Sequence, residues 1–270
     1  LVLPKGGKPA ALNAGIAQSH GEILVLTDVR QVLEPDSVAH LVSCFADSSV
    51  GVVSGDLLMR RSDNLEQRSF PIYWRYERWI RKQQGKLDSM LGATGPFYSM
   101  RRELAVVMPE DTLLDDMYLP LAAFFRGYRL IVDEDARALD YVPPLTAEFG
   151  RKVRTLAGNF QIMWQYPALW SFRNRMWFHF LSHKVARLAL PYLFVLLLLF
   201  SFRLPGYWAW VAVAAQAGFY LLAAVDPLIP QTWLFKRLSS PARAFVLLVA
   251  AALFAVAVFF VPPHKLWKTT

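Results

Sequence analysis

Thr112-Leu-Leu-Asp-Asp-Met-Tyr-Leu-Pro-Leu-Ala-Ala-Phe-Phe-Arg-Gly-Tyr-Arg129 is the stretch on which the reading of the chain turns. Two adjacent carboxylates, Asp115 and Asp116, open an apolar run of helical length, and Gly127, flanked by Arg126 and Arg129, marks its stop. Acids in a first helical turn offset the macrodipole. A carboxylate in that place can equally serve as a general base or line a site for a polar substrate. Leu130-Ile-Val-Asp133, which follows, has the length and composition of a strand.

Upstream, the same alternation continues. Lys8 to Ser19 reads as a helix, Glu22 to Thr27 as a strand broken by Asp28, and Asp36 to Ala46 as a helix started by Pro35-Asp36. Val50 to Ser54 is a β-branched strand, Pro71 to Gln84 an aromatic and basic helix, and Phe97 to Met100 a short strand after the Gly92–Gly95 loop. Strands alternating with helices predict an α/β layered domain with a mostly parallel sheet. This domain is assigned to residues 1–145.

Downstream, the composition changes. The chain has 270 residues and a net charge of +8, yet beyond Glu148 its only acid is Asp226. Residues 146–187 interleave Trp164, Trp170, Trp177 and Phe180 with Arg173, Arg175, Lys184 and Arg187, as amphipathic helices in a bilayer interface do. Residues 188–270 hold uncharged stretches at 188–202, 204–225 and 244–263, which predict transmembrane helices. Lys236, Arg237 and Arg243 between the second and third place that loop, and with it the α/β domain, on the cytoplasmic side. The basic, acid-poor second half points to a membrane surface, and no nucleic-acid-binding signature is present. A single cysteine, Cys44, excludes an intrachain disulfide and reads as a buried structural thiol. The opening Leu-Val-Leu-Pro looks like a strand end, so an N-terminal part is expected to be missing.

Four blocks carry chemistry. Lys5-Gly-Gly-Lys-Pro-Ala-Ala-Leu-Asn-Ala-Gly15 is a Gly-rich turn with two lysines opening a helix, suited to an anion such as a phosphate. Thr27-Asp28-Val-Arg30-Gln31 puts an Asp at a strand's C-terminal end, where it faces a ligand crevice or forms a turn. The loop Gly92-Ala93-Thr94-Gly95 lets backbone approach a ligand closely. The Asp115–Asp116 pair is the fourth. Arg151-Lys-Val-Arg154 adds a cationic cluster that pairs with phosphates or faces headgroups. His179 and His183, four apart on a helix, amount to half a metal site with no acid nearby in sequence, which favours an interfacial or core role.

In order, these blocks resemble the membrane-bound family 2 glycosyltransferases, the group of cellulose-synthase-like and hyaluronan-synthase-like enzymes, over essentially the whole chain. The resemblance implies a GT-A-type nucleotide-binding α/β domain followed by interfacial and transmembrane helices. It implies inverting transfer of a sugar from a nucleotide-sugar donor, expected to be a UDP-sugar, with Mg²⁺ or Mn²⁺. Lys8 and Asn13 would lie near the nucleotide, and Asp28 would be the first, metal-binding Asp of Asp-x-Asp. Asp116 would be the base, with Asp115 replacing the Glu of Thr-Glu-Asp. Gly92, Ala93, Thr94 and Gly95 would form the acceptor loop, and Arg151 and Arg154 would match Gln-x-x-Arg-Trp, with Arg154 on the pyrophosphate. The chain departs from the pattern at Arg30, where a second Asp is expected, and at Thr155, which replaces a Trp that holds the glycan end in processive synthases. Arg30 would then offset phosphate charge instead.

The resemblance implies a lipid, lipid-linked or polysaccharide acceptor, with membrane lipids as further partners. The alternative expectation is a catalytically impaired nucleotide-sugar-binding homologue within a polysaccharide synthesis and export complex. A transporter is poorly supported, because no ionisable residue lies inside the second and third stretches.

Overall fold

The computed structural model describes residues 2–4, 6–60, 70–141, 145–230 and 232–261. Lys5 and the last two residues of the third apolar stretch, 262–263, lie outside them. The α/β part runs α1 (Gly7–Gln18), β1 (Ile23–Thr27), β2 (Val32–Leu33), α2 (Ser37–Ser43), β3 (Val50–Arg60), α3 (Phe70–Leu87), β4 (Phe97–Arg101), α4 (Asp115–Phe125) and β5 (Arg129–Tyr141). α5 (Leu145–Gln165) follows. The described strands form one sheet in the order β1-β4-β3-β5-β2.

The sheet is mixed where the alternation of elements predicts a mostly parallel one. Only β3 and β5 run parallel; the β1–β4, β3–β4 and β2–β5 pairs are antiparallel. An apolar run encodes burial but not direction, so a crossover and a return look alike in sequence. β3 and β5 also extend beyond the apolar runs, to Arg60 and Tyr141, because their pairing resumes past a register shift at Gly55/Asp56.

Side-chain alternation along the central strands divides the core in two. Val52, Tyr98, Met100 and Leu130 face α4 and α5 with Leu119, Leu121 and Leu156, whereas Val53, Phe97 and Ala138 face Leu41 and Phe45 on the other side. Cys44 is half-buried beside that second cluster, and burial together with Asp133 pushes its thiol up to about 11, so it stays protonated.

α4 ends as its sequence predicts. Gly127 takes φ +93°, its N–H donates to the Phe124 carbonyl at 3.0 Å, and the Tyr128 N–H donates to the Ala123 carbonyl at 3.2 Å. That is the Schellman pattern, which needs a left-handed residue just past the last turn. Gly127→Ala is therefore expected to destabilise the fold by about 1 kcal/mol, seen as a lower thermal unfolding midpoint.

Among the described residues, three helices are long and apolar enough to cross a membrane: Trp177–Ser201, Tyr207–Leu228 and Lys236–Phe259. The first starts well before position 188, because the chain stays helical through a π-type turn at Phe180–Val185. The segment assigned to interfacial helices is thus shared between α5, short turns and this first apolar helix. α5 buries Leu156, Ala157 and Ile162 in the domain core, while Trp164, Phe172 and Phe178 are exposed. α5 also packs on the third apolar helix through Phe149–Phe254 and Phe160–Phe259. Two of the three loop cations, Lys236 and Arg243, turn to the buried Asp226 carboxylate at 3.2 and 3.4 Å.

Candidate functional site

Strand pairing assembles the site. Antiparallel register sets Thr27 opposite Phe97, so the residues after β1 and those before β4 share one edge of the sheet. There the Asp28 N–H donates to the Pro96 carbonyl at 3.1 Å. The start of α1 brings Lys8 to the same edge, and its ammonium bridges Asp28 at 3.3 Å and Asp115 at 3.0 Å. Burial acts against the Lys8 charge, but Asp115, Asp28 and Asp116 outweigh it and hold the ammonium above its ordinary value.

Asp116 is fixed through its backbone. Pro120, one turn on, has no N–H to offer the Asp116 carbonyl. That carbonyl instead accepts the Ala93 N–H at 2.8 Å, so the proline inside α4 docks the Gly92–Gly95 loop onto the helix start. Thr94 completes the anchor: its N–H donates to Ser54 Oγ at 2.8 Å, and its hydroxyl accepts from Arg81 at 2.7 Å. Burial, then the neighbouring Asp115, push the Asp116 carboxyl up to about 6, against the opposing pull of Lys8, Arg81 and Lys184. Its environment suits a group that takes up and gives back a proton near neutral pH.

On the α5 side, burial opposes the Arg154 charge while Asp116, Asp115 and Asp28 support it. Arg151 lies close enough to Arg154 to oppose it as well. Lys8, Asp28, Asp115, Asp116, the Gly92–Gly95 loop, Arg151 and Arg154 therefore form one neighbourhood. Two residues read from sequence are engaged elsewhere. Asn13 donates to the Met108 carbonyl at 2.8 Å and accepts its N–H at 3.0 Å, tying α1 to the following loop. Arg30 is largely exposed and reaches Asp140 on β5 at 3.4 Å.

Several residues that the motifs did not single out belong to the site. Tyr98, fully buried on β4, has an unpartnered hydroxyl, and burial followed by Asp115, Asp116 and Asp28 pushes its phenol well above the ordinary value. Arg81 and Glu77 on α3, Asn159 on α5 and Lys184 on the first apolar helix line a cavity of about 70 Å³ together with Asp116. Glu77 pairs with Arg187, and His183 stands 3.6 Å from it. Burial disfavours the Glu77 charge, but these partners and Arg81 hold it well below the usual carboxylate range. The basic stripe of α3, with Arg75, Arg78 and Arg81 at three-residue spacing, was the one visible signal for this wall.

A divalent cation requires several oxygen ligands. Among the described residues no cluster of three or more His, Cys, Asp or Glu is arranged to hold one. Asp28 is bridged by an ammonium, and the position two residues on carries Arg30 in place of a ligand. Mg²⁺ in phosphate-handling sites is held by one or two carboxylates with substrate phosphates and waters, so a Mg²⁺ or Mn²⁺ here would take Asp28 as its protein ligand and the donor's phosphates as the others.

The family model for glycosyl transferase family group 2 matches residues 23–224. Among solved structures, the chain is similar to the mannosyltransferase PcManGT from Pyrobaculum calidifontis in complex with GDP-Man and Mn²⁺, with a TM-score of 0.61 and 22% identity. The match covers 92% of this chain and 66% of that one. At that identity the likeness shows the fold, a GT-A-like domain, and the chain spans just under two thirds of the longer protein's length. No curated protein matches the chain at a significant level.

Proposed function

The chain belongs to glycosyl transferase family group 2, and from that premise we propose that it transfers a sugar from a nucleotide-sugar donor, with inversion, to an acceptor presented at a membrane. The observation that carries this reading is the convergence of Lys8, Asp28 and Asp115 beside Asp116, at one edge of the sheet.

The reaction asks for two things. A sugar hydroxyl attacks only as its proton is removed, and the departing nucleoside diphosphate needs its growing charge offset. Asp116 meets the first need. It accepts the acceptor's proton as that oxygen bonds to the anomeric carbon. The bond from that carbon to the diphosphate oxygen breaks, and its electron pair leaves with the diphosphate. Lys8, Arg151 and Arg154 meet the second. Lys8 is held between two carboxylates, so its charge is aimed before the donor arrives. Asp115 and Asp28 orient Lys8.

The acceptor is a lipid, a lipid-linked sugar or a growing polysaccharide. Contacts of α5 with the third apolar helix support a site at the bilayer, since they fix the domain against the candidate spans. The loop holding Arg237 supports a cytoplasmic domain in a cytoplasmic membrane.

The test uses the full-length protein in lipid nanodiscs with UDP-glucose and GDP-mannose as donor probes. Wild type is expected to release nucleoside diphosphate from one of them. Lys8→Met is expected to raise the KM for that donor about tenfold or more, because a charge-assisted contact to phosphate is lost. Arg30 in the second Asp position favours one other reading, a homologue that binds donor without turning it over. Donor binding by calorimetry without release of diphosphate would decide for it.

A further inference from the structure

The cavity at Asp116 gives way to one of a different kind. Its α5 wall is Thr155 and Asn159, and its wall on the first apolar helix is His183 and Lys184. The next residue on each helix, Phe160 and Val185, lines a second cavity, of about 520 Å³. Met163 and Leu188, four residues beyond Asn159 and Lys184, line it too. Consecutive residues are about 3.8 Å apart at Cα, and residues four apart on an α-helix such as α5 about 5–6 Å apart at Cβ. The second cavity therefore adjoins the first along two separate walls.

The two are chemically opposite. The first is lined by Glu77, Arg81, Asp116, His183 and Lys184 and by no Trp, Tyr or Phe, so it has no aromatic face on which a sugar ring could stack. The second is lined by apolar and aromatic residues alone. Its walls are α5, the turn at Trp170 and the first and third apolar helices. Phe259 meets Phe160 there, with ring centroids 5.5 Å apart, which fixes the wall on the third helix. The volume is that of a small-molecule site. Three of its lining residues, Trp164, Trp170 and Tyr192, are 81, 47 and 43% exposed. Trp and Tyr are the residue types that sit where a bilayer meets water.

We propose that the second cavity holds the hydrocarbon chain of the acceptor, so that the acceptor is lipid-borne: its hydroxyl reaches Asp116 while its chain runs between α5 and the first and third apolar helices. An amphiphile satisfies a polar cavity and an adjoining apolar one at once. A free polysaccharide has no group for the second. Grip on a non-reacting part of the substrate also supplies the binding energy that the first cavity, without an aromatic face, does not. This inference rests on the proposed function and on Asp116 as the base, and it narrows the acceptor to the lipid-borne classes.

The experiment compares octyl β-glucoside, kept below its micellar concentration, with methyl β-glucoside as acceptor probes. It uses full-length protein in nanodiscs and whichever of UDP-glucose and GDP-mannose is turned over. The probes carry the same hydroxyls and differ only in the chain. Partition of the octyl probe into the bilayer is the same for every variant, so a change in the ratio of the two kcat/KM values reads the cavity. Ala189→Trp, which fills it, is expected to lower the octyl-to-methyl ratio about tenfold, the worth of roughly two buried methylenes. Leu197→Trp, at an exposed position of the same helix outside the cavity, is expected to leave the ratio unchanged. A ratio kept in Ala189→Trp, or lost equally in Leu197→Trp, overturns the proposal. Asp116→Asn separates the two claims: undiminished transfer by that variant removes the base, while the ratio still reports on the chain. Should no transfer be measurable, or Ala189→Trp fail to fold, an octyl glucoside with a diazirine at its chain end decides on wild type by photolabelling. Label on Met163 or Tyr192 that excess octyl glucoside removes supports the site. Label that is absent there, or that excess probe leaves in place, means contact with bulk lipid only and sinks it.

Discussion

Asp116→Asn is expected to lower sugar transfer by about three orders of magnitude while leaving the protein folded and more stable at neutral pH. The loss follows from removing a general base, which contributes about 10²–10⁴-fold in rate. Asn keeps the shape, and its backbone carbonyl still accepts the Ala93 N–H, so the loop stays docked. The gain in stability has a definite sign. Burial and Asp115 raise the folded-state value of Asp116 to about 6, from 3.8 in its ordinary state. The folded protein therefore binds a proton more tightly than the unfolded chain does, and ionising Asp116 works against the fold. That cost is absent below about pH 4, grows through the window between the two values and is complete above about 6. The neutral amide escapes it, so the thermal midpoint of Asp116→Asn should exceed that of wild type at pH 7.5 and match it more closely at pH 4. Wild-type kcat/KM should rise with pH to a plateau above about 6, because only the carboxylate accepts a proton. A variant that transfers at the wild-type rate, or a profile flat from pH 5 to 8, would remove Asp116 from the role of base.

The sequence disclosed this site unevenly, and the reasons are physical. The limits of α4 were legible, because first-turn acids and a glycine stop are local signals that local geometry enforces at Asp115 and Gly127. The grouping of Lys8, Asp28 and Asp115 was legible only as an order of blocks. Their contact depends on the β1–β4 register, which no single segment encodes. Arg30 could be recognised as a departure, but its partner, Asp140, lies 110 residues on. The sheet's mixed direction was hidden for a similar reason: Val50–Ser54 is apolar whichever way its neighbours run. Tyr98 and Asn159 were invisible, since an unpartnered polar atom is a property of the surroundings and not of the residue type. Lys184 was counted with an interfacial stretch. It lines the Asp116 cavity because the first apolar helix begins at Trp177 and carries it against α4.

Gly95→Ala is expected to reduce kcat for transfer by about a hundredfold with little change in the KM for donor. A methyl group on Gly95 would stand 2.7 Å from Asp116 Oδ2 and 3.2 Å from its Cγ. One of the two must yield, and the loop is poorly placed to do so. Thr94 is held by Ser54 and Arg81, and the Phe97 N–H donates to the Thr94 carbonyl at 2.9 Å. The Asp116 backbone is likewise held, by α4 and by Ala93. What remains is rotation of the carboxylate itself, which moves the proton-accepting oxygen. Displacing a reacting group by about 1 Å costs on the order of 10² in rate, because the reactants lose their near-attack alignment. Gly92 provides the internal comparison. A methyl there would meet Met117 Cγ at 2.7 Å, near the root of an unbranched side chain that can turn away, with the nearest Asp116 atom a backbone oxygen at 3.5 Å. Methionine adjusts to such intrusions at little cost, so Gly92→Ala should lose no more than a few-fold. Steady-state kinetics on both variants, at saturating donor and a fixed acceptor probe, measure the contrast. Equal losses would mean that the loop tolerates or rejects bulk generally, and that the oxygen facing Gly95 is not the one that takes the proton.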